Sequence, residues 1–446
     1  MSEPLSNRTP YNYPSEHSKS ATLYQRAMDV MPGGNTRTTV YMSPYPIYAQ
    51  RGKGCYIYDV DGCERIDFIN NYTSMIHGHC HPDIIAAAKA QLDLGTCFAM
   101  PTETEIPLAA LLCERVASIE KVRFANSGTE AVMMAIKAAR AFTMRPKIAK
   151  AEGAYHGSYD YVEVSEDSTP ENWGDSEPNK VPYCAGTPAG AINDVVVYPY
   201  NNVALTEQIL RAHAKDLAAI LIDPLPPRAG LPPAQPEFLA MLRRVADECG
   251  IVLISDEVIS FRVGYHGAQG EFGFKADLTA LGKIIGGGFP VGAVGGRSDI
   301  MAVFDPSGGK SRVPHGGTFN ANPMTMVAGL KAMQLMTRAE FDRINALGNQ
   351  AREQLNDILK KAPFPASVVG RGSLLRLHMT REPVTDYRSS YQRPEQRAVL
   401  AKLFRLLLNN GIFMGPTGFM SISTPMTSAH IDELASAVRL AAMKIQ

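Results

Sequence analysis

No stretch of the chain comes near the roughly 18 uninterrupted apolar residues of a membrane-crossing helix, so none is expected. Net charge is missing as well, because 44 Lys and Arg offset 44 Asp and Glu. Bulk electrostatics therefore gives no reason to expect nucleic acid or an anionic membrane as partner. The cysteines are seven, an odd number, and contain no C-x-x-C pair. That pattern predicts reduced thiols in a cytoplasmic protein and argues against a disulfide framework. The opening MSEPLSNRTPYNYPSEHSKS lacks the apolar core of a secretory signal. Internal repeats and low-complexity tracts are absent. What is present is ordinary for a globular chain: 446 residues, 45% hydrophobic and 20% charged, enough for a large core and two domains.

Short apolar runs alternate with helical patterns through the middle of the chain. The runs at 121–125, 147–151, 194–200, 217–225, 250–258 and 291–297 read as strands, with helices at 128–143 and 236–249 between them. Strands that are apolar throughout and separated by helices predict an α/β fold with a mainly parallel sheet buried on both faces. Ligands in such sheets sit outside the carboxyl ends of the strands. Residues 37–70 alternate apolar and polar positions around the hairpin signal DVDG (59–62). After residue 325 a long helical stretch leads to a mixed α/β tail. The expected organisation is a large domain over 71–325 and a smaller α/β domain made by 1–70 and 326–446. The Pro-, Gly- and acid-rich segment 160–190 reads as a long surface loop.

Five local patterns carry chemistry. In FANSGTEA a strand runs into Ser127, Gly128, Thr129 and Glu130 and a helix follows. Ser127 with Glu130 fits a helix-capping box; the same backbone N–H groups and hydroxyls suit a phosphate. In ISDEV, Asp256 and Glu257 follow a strand, either as solvated acids or as partners for a protonated ring nitrogen. In AEGAYHG, Tyr155 and His156 follow another strand, where an aromatic serves core packing or a planar ligand. In IHGHCHPD, His77, His79 and His81 alternate as zinc ligands do, but Pro82 marks the start of a helix and no acidic or cysteine cluster accompanies them. Finally LTALGKIIGGG ends an apolar run on Lys283 and follows it with Gly286, Gly287 and Gly288. A Walker loop has its glycines before the lysine, so that reading fails on order. A phosphate cup, an acid, an aromatic and a lysine among small residues together describe a site for pyridoxal 5'-phosphate. Burial lowers the pKa of such a lysine so that it can attack an aldehyde.

These motifs, with MPGGNTR (31–37), DVDGCERIDF, GHCHPDI and GGTFNANP (316–323), resemble the class III (ω-type) pyridoxal-phosphate aminotransferases of fold type I. The pattern is nearest to glutamate-1-semialdehyde aminomutases and β-amino acid transaminases. The resemblance implies that Lys283 forms the Schiff base and shuttles the proton, and that Asp256 keeps the pyridine nitrogen protonated. It implies that Tyr155 and Val258 flank the ring and that Ser127, Gly128 and Thr129 hold the phosphate. Thr318 would reach the phosphate of a neighbouring subunit, which makes the active unit a homodimer with shared sites. Arg37 would take the substrate carboxylate, with Tyr72 as a second substrate-binding residue, and the histidine segment belongs to the pattern without metal.

The chain departs from the family pattern in places. DEVISFR is one residue shorter than the DEV-x-x-G-F-R form, as in the β-amino acid branch. Thr417 stands where that branch has an arginine, so either Arg262 or Arg376 substitutes or the acceptor is not a usual keto acid. Asp223 replaces a glutamate. The expected function is amino transfer from a β-amino acid or related amine to a carbonyl acceptor. The alternatives are an aminomutase or racemase on the same cofactor, a non-catalytic descendant, and a metal hydrolase built on the three histidines.

Overall fold

The computed structural model describes residues 11–445, so the first ten residues of the amino-terminal segment lie outside it. Strands β1 (Ala49–Lys53), β2 (Tyr56–Asp59) and β3 (Glu64–Asp67) form an antiparallel meander, and the DVDG signal falls at the β2–β3 turn. Seven strands follow: β4 (Lys121–Ala125), β5 (Lys147–Ala151), β6 (Val195–Tyr198), β7 (Leu217–Ile222), β8 (Val252–Asp256), β9 (Leu278–Gly282) and β10 (Gly292–Gly296). They make one sheet in the order β4-β10-β9-β8-β7-β5-β6. Only β10 runs antiparallel to its neighbours. Strands β11 (Ser367–Val369), β12 (Leu374–His378) and β14 (Phe419–Ser421) form a third sheet, while β13 (Ile412–Phe413) pairs in parallel with β3.

All six expected strands lie in the central sheet, and β9 adds a seventh at the apolar run that ends on Lys283. Their limits moved for local reasons. The run 194–200 stops at Tyr198 because Pro199 has no N–H for the ladder. The run 250–258 starts late because Gly250, at φ +63°, caps the preceding helix Pro236–Cys249. Strands β6 to β10 are buried along their whole length, as runs without alternation require. The helix Gly128–Thr143 lies on this sheet through Ala131, Ala135, Ala138 and Ala139, small residues that allow close approach.

The segment 160–190 is not simply a surface loop. It contains short helices at Asp160–Glu163 and Ala189–Asn193, and Val162 and Val164 join the core under the helix Gly128–Thr143. Trp173 sets its ring against Tyr387 and Tyr391, and Arg388 crosses it at 5.1 Å while pairing with Glu152 at 2.7 Å. Apolar residues spaced through a polar segment drew it inward. Among the described residues no helix is long and apolar enough to cross a membrane.

Candidate active site

A cavity of about 390 Å³ opens at the carboxyl ends of the parallel strands. Ser127, Gly128 and Thr129 reach it from beyond β4, and Tyr155 and His156 from beyond β5. Asp223 follows β7, Asp256 ends β8 and Lys283 follows β9. One sheet therefore brings together seven of the residues singled out by motif: Ser127, Gly128, Thr129, Tyr155, Asp256, Val258 and Lys283.

The capping reading of the first motif holds. Ser127 Oγ accepts the Glu130 N–H at 3.2 Å and caps the helix, while Glu130 Oε2 accepts from the Asn126 N–H at 2.6 Å. The first N–H groups of any helix have no partner within it, and here they face the cavity at Gly128 and Thr129. Packing also requires these glycines. A Cβ on Gly128 would lie 2.8 Å from Val258 Cγ1, and one on Gly157 2.4 Å from Thr129 Oγ1.

Asp256 is fixed on both oxygens. Oδ2 faces His156 Nδ1 at 2.7 Å and Oδ1 accepts the Val258 N–H at 3.0 Å. Burial lowers the pKa of His156 against the pull of that carboxylate, so a neutral ring donating from Nδ1 is the favoured partner. Among the described residues its buried Nε2 has no hydrogen-bond partner. Burial likewise lowers the pKa of Lys283, with Asp256 and Asp223 opposing it. Asp223 moves the other way, well above the usual carboxylate range, because it is buried and faces Asp256. Glu257 has a different task. It accepts from Ala268 N and Gln269 Nε2 at 2.6 and 2.8 Å, as a structural acid pushed up to about 7 by burial.

Lys283 adopts φ +50°, a conformation L residues avoid and one that persists mainly where surrounding structure dictates it. Packing requires the first two glycines after it. A Cβ on Gly286 would meet Val291 Cγ1 at 2.6 Å, and one on Gly287 would meet the Ala328 carbonyl at 2.4 Å. Only Gly288 of the three borders the cavity.

Three expected site residues stand elsewhere. Thr318 is exposed and outside the cavity. Arg37 and Tyr72 line a second, mostly apolar cavity of about 300 Å³, which meets the first at Asn71. Arg37 Nη1 donates to Asn71 Oδ1 at 3.0 Å, and the Tyr72 hydroxyl donates to the Thr39 carbonyl.

Neither proposed substitute for the missing arginine reaches these cavities. Arg262 is wholly buried and donates to Ser373 Oγ and Thr73 O, both at 3.0 Å, and to Ile422 O. It holds the fold together. Arg376 donates to the Pro227 and Arg228 carbonyls. The three histidines are also engaged otherwise than as a metal centre would engage them. His77 bonds to Ala332 O at 2.8 Å, His79 pairs with Asp67 at 2.8 Å, and His81 sets its ring against His77. Among the described residues no three His, Cys, Asp or Glu side chains gather as a metal site would need. Sequence reasoning missed the parts played by His156, Asp223 and Asn71. For the first two the signal was there, since Asp223 directly follows β7 and His156 lies five residues beyond β5.

The family model for class-III aminotransferases matches residues 39–441. A solved ω-transaminase from Sphaerobacter thermophilus is 53% identical, superposes with a TM-score of 0.94 and covers 97% of this chain and 98% of its own. A β-phenylalanine aminotransferase from Variovorax paradoxus is 34% identical with a TM-score of 0.85, over 94% and 93% of the two chains. Among curated proteins, glutamate-1-semialdehyde 2,1-aminomutase 2 of Halalkalibacterium halodurans is 37% identical over 434 residues, 96% of this chain and 99% of its own length. The chain belongs to the class-III aminotransferase family and is a pyridoxal-phosphate-dependent enzyme.

Proposed function

From that membership we propose an aminotransferase that takes the amino group of a β-amino acid or related amine and passes it to a carbonyl acid. The observation that carries this reading is Arg37, an exposed guanidinium on a largely apolar cavity that adjoins the Lys283 cavity. Such a cavity suits a donor with an apolar body and a carboxylate. The likeness to an ω-transaminase and a β-phenylalanine aminotransferase supports it.

The residues present fit the cofactor. The helix N-terminus at Ser127, Gly128 and Thr129 suits its phosphate. Tyr155, 39% exposed although inside the cavity, and Val258 offer two faces for a flat ring. Asp256, held by His156, would face the ring nitrogen. Bound there, pyridoxal phosphate supplies an aldehyde and a ring that withdraws electrons from the donor carbon. Lys283, kept readily deprotonated by burial, would take the proton from that carbon and return one during the reverse half-reaction. Arg37 and Tyr72 would orient the carboxylate. The donor product leaves before the acceptor arrives, so one guanidinium can serve both in turn, and no second arginine is required of this chain. Leu92, Leu94, Phe98, Met100, Ile106 and Phe319 are exposed, which supports a second copy covering them and meeting Thr318.

The competing reading is an aminomutase, favoured by the curated relatives of that name. Single donors added to the loaded enzyme without acceptor separate the two. Release of one carbonyl product per site, with loss of the cofactor's visible band, is the result expected. Isomerised donor with no carbonyl product would replace the transaminase reading.

A further inference from the structure

Among the described residues Asn71 is the one that lines both cavities. It stands in a run of four residues with left-handed backbone: Asn70 (φ +49°), Asn71 (+46°), Tyr72 (+51°) and Thr73 (+76°). Asparagine tolerates this region, but tyrosine and threonine avoid it. Side chains on every side hold the run in place. Asp67 Oδ1 accepts from Ile69 N at 3.0 Å and Asn70 N at 2.8 Å, while His79 fixes its other oxygen. Asn70 Nδ2 donates to Ser421 O at 2.9 Å, and Arg262 Nη1 holds Thr73 O. Strain kept this firmly marks a place where a side chain must point one way.

The side chain so aimed is the Asn71 amide. Its Nδ2 donates to Ser74 Oγ at 3.1 Å, which leaves Oδ1 to accept from Arg37 Nη1 at 3.0 Å. Among the described residues Arg37 makes no ion pair. A neutral oxygen holds the guanidinium in place without cancelling its charge. A carboxylate offers two charged oxygens and binds a guanidinium roughly twice as strongly per bond.

We propose that Asn71 sets the preference for carboxylated amino donors: its amide oxygen holds the Arg37 guanidinium at the seam between the cavities, and the donor's carboxylate takes that oxygen's place. Asn71 is a positioning residue that acts through Arg37. The proposal rests on the reading of Arg37 given above.

Asn71→Asp tests it, because aspartate keeps the size and the left-handed tolerance but pairs with the guanidinium. Binding of 3-phenylpropanoate, a carboxylate with no amine to react, is titrated calorimetrically into the loaded enzyme. The saturation of the 1-phenylethylamine half-reaction is the control. Asn71→Asp is expected to weaken the carboxylate by about tenfold or more and the amine by no more than about twofold. Added to Arg37→Ala, it should weaken the carboxylate no further. Unchanged carboxylate binding in Asn71→Asp, with binding still weakened by Arg37→Ala, would overturn the role of Asn71 and leave that of Arg37. Equal loss for both ligands, or a loss that persists in the double variant, would overturn it too. If Arg37→Ala leaves carboxylate binding intact, the reading of Arg37 fails and this proposal fails with it.

Discussion

The two cavities meet at Asn71 yet are built in different ways. The Lys283 cavity hangs from the ends of one sheet, and each reactive group leaves the chain within a few residues of a buried strand. The Arg37 cavity is assembled from residues 37–42, 47–59, 65–79 and 408–416; it lies against the small sheet β1-β2-β3-β13, and its border with the first cavity is the left-handed turn at 70–73. A sheet fixes positions through backbone pairing that many sequences can supply. A turn held by Asp67, Arg262 and Ser421 fixes them through particular side chains, and single substitutions can re-aim it. Under the proposed reading, the chemistry lies where the scaffold is stiffest and donor choice where it is easiest to change.

The largest expected break in this contrast is Lys283→Ala, which removes the amine at the end of β9. Turnover should fall by about 10³-fold or more with every donor. Steady-state rates give the loss, and thermal melting should show the fold intact. Asp256→Ala comes next. It removes the carboxylate that holds His156 and should weaken cofactor retention about 100-fold, read by titrating pyridoxal phosphate into stripped protein. Arg37→Ala belongs to the other cavity and should separate donors, raising KM about tenfold for β-phenylalanine and little for 1-phenylethylamine. Equal effects on both donors would erase the division of labour.

The last expected effect is on stability and concerns the segment after the turn. His77 is buried against the Ala332 carbonyl, and burial lowers its pKa to about 4 from the usual 6.5. The unfolded chain therefore takes up a proton first as pH falls. The stability contribution is complete above pH 6.5 and is lost as pH drops toward 4. Between pH 7 and pH 5 it should amount to about 2 kcal/mol. Urea unfolding of His77→Gln should show a correspondingly smaller difference between those two values.

The same contrast governs what could be read from the sequence. Strands 121–125 and 147–151 and helices 128–143 and 236–249 have the limits that apolar period, Pro and Gly announce. The groups at their ends could be found by motif because the sheet makes neighbours of residues far apart in the chain. Arg262 looked like a spare guanidinium for a substrate and is a buried brace, since nothing in DEVISFR reveals Thr73, Ser373 and Ile422 around it. Asn71 gave no signal. A left-handed run without glycine looks like any polar turn, and what forces it comes from residues as distant as Ser421. What requires Gly286 and Gly287 is equally hidden in the local sequence, because their neighbours Val291 and Ala328 are tertiary.

The bond from Asn70 to Ser421 joins residues 351 positions apart, and β3 waits nearly as long for β13. A chain emerging from the ribosome presents its amino-terminal part first. All strands of the central sheet, the last ending at Gly296, leave well before residue 412. The lysine pocket can therefore take shape on a nascent chain whose left-handed turn still lacks its Ser421 anchor. Under the proposed reading, chains released before residue 412 would carry the reactive amine with the donor-selecting turn incompletely held.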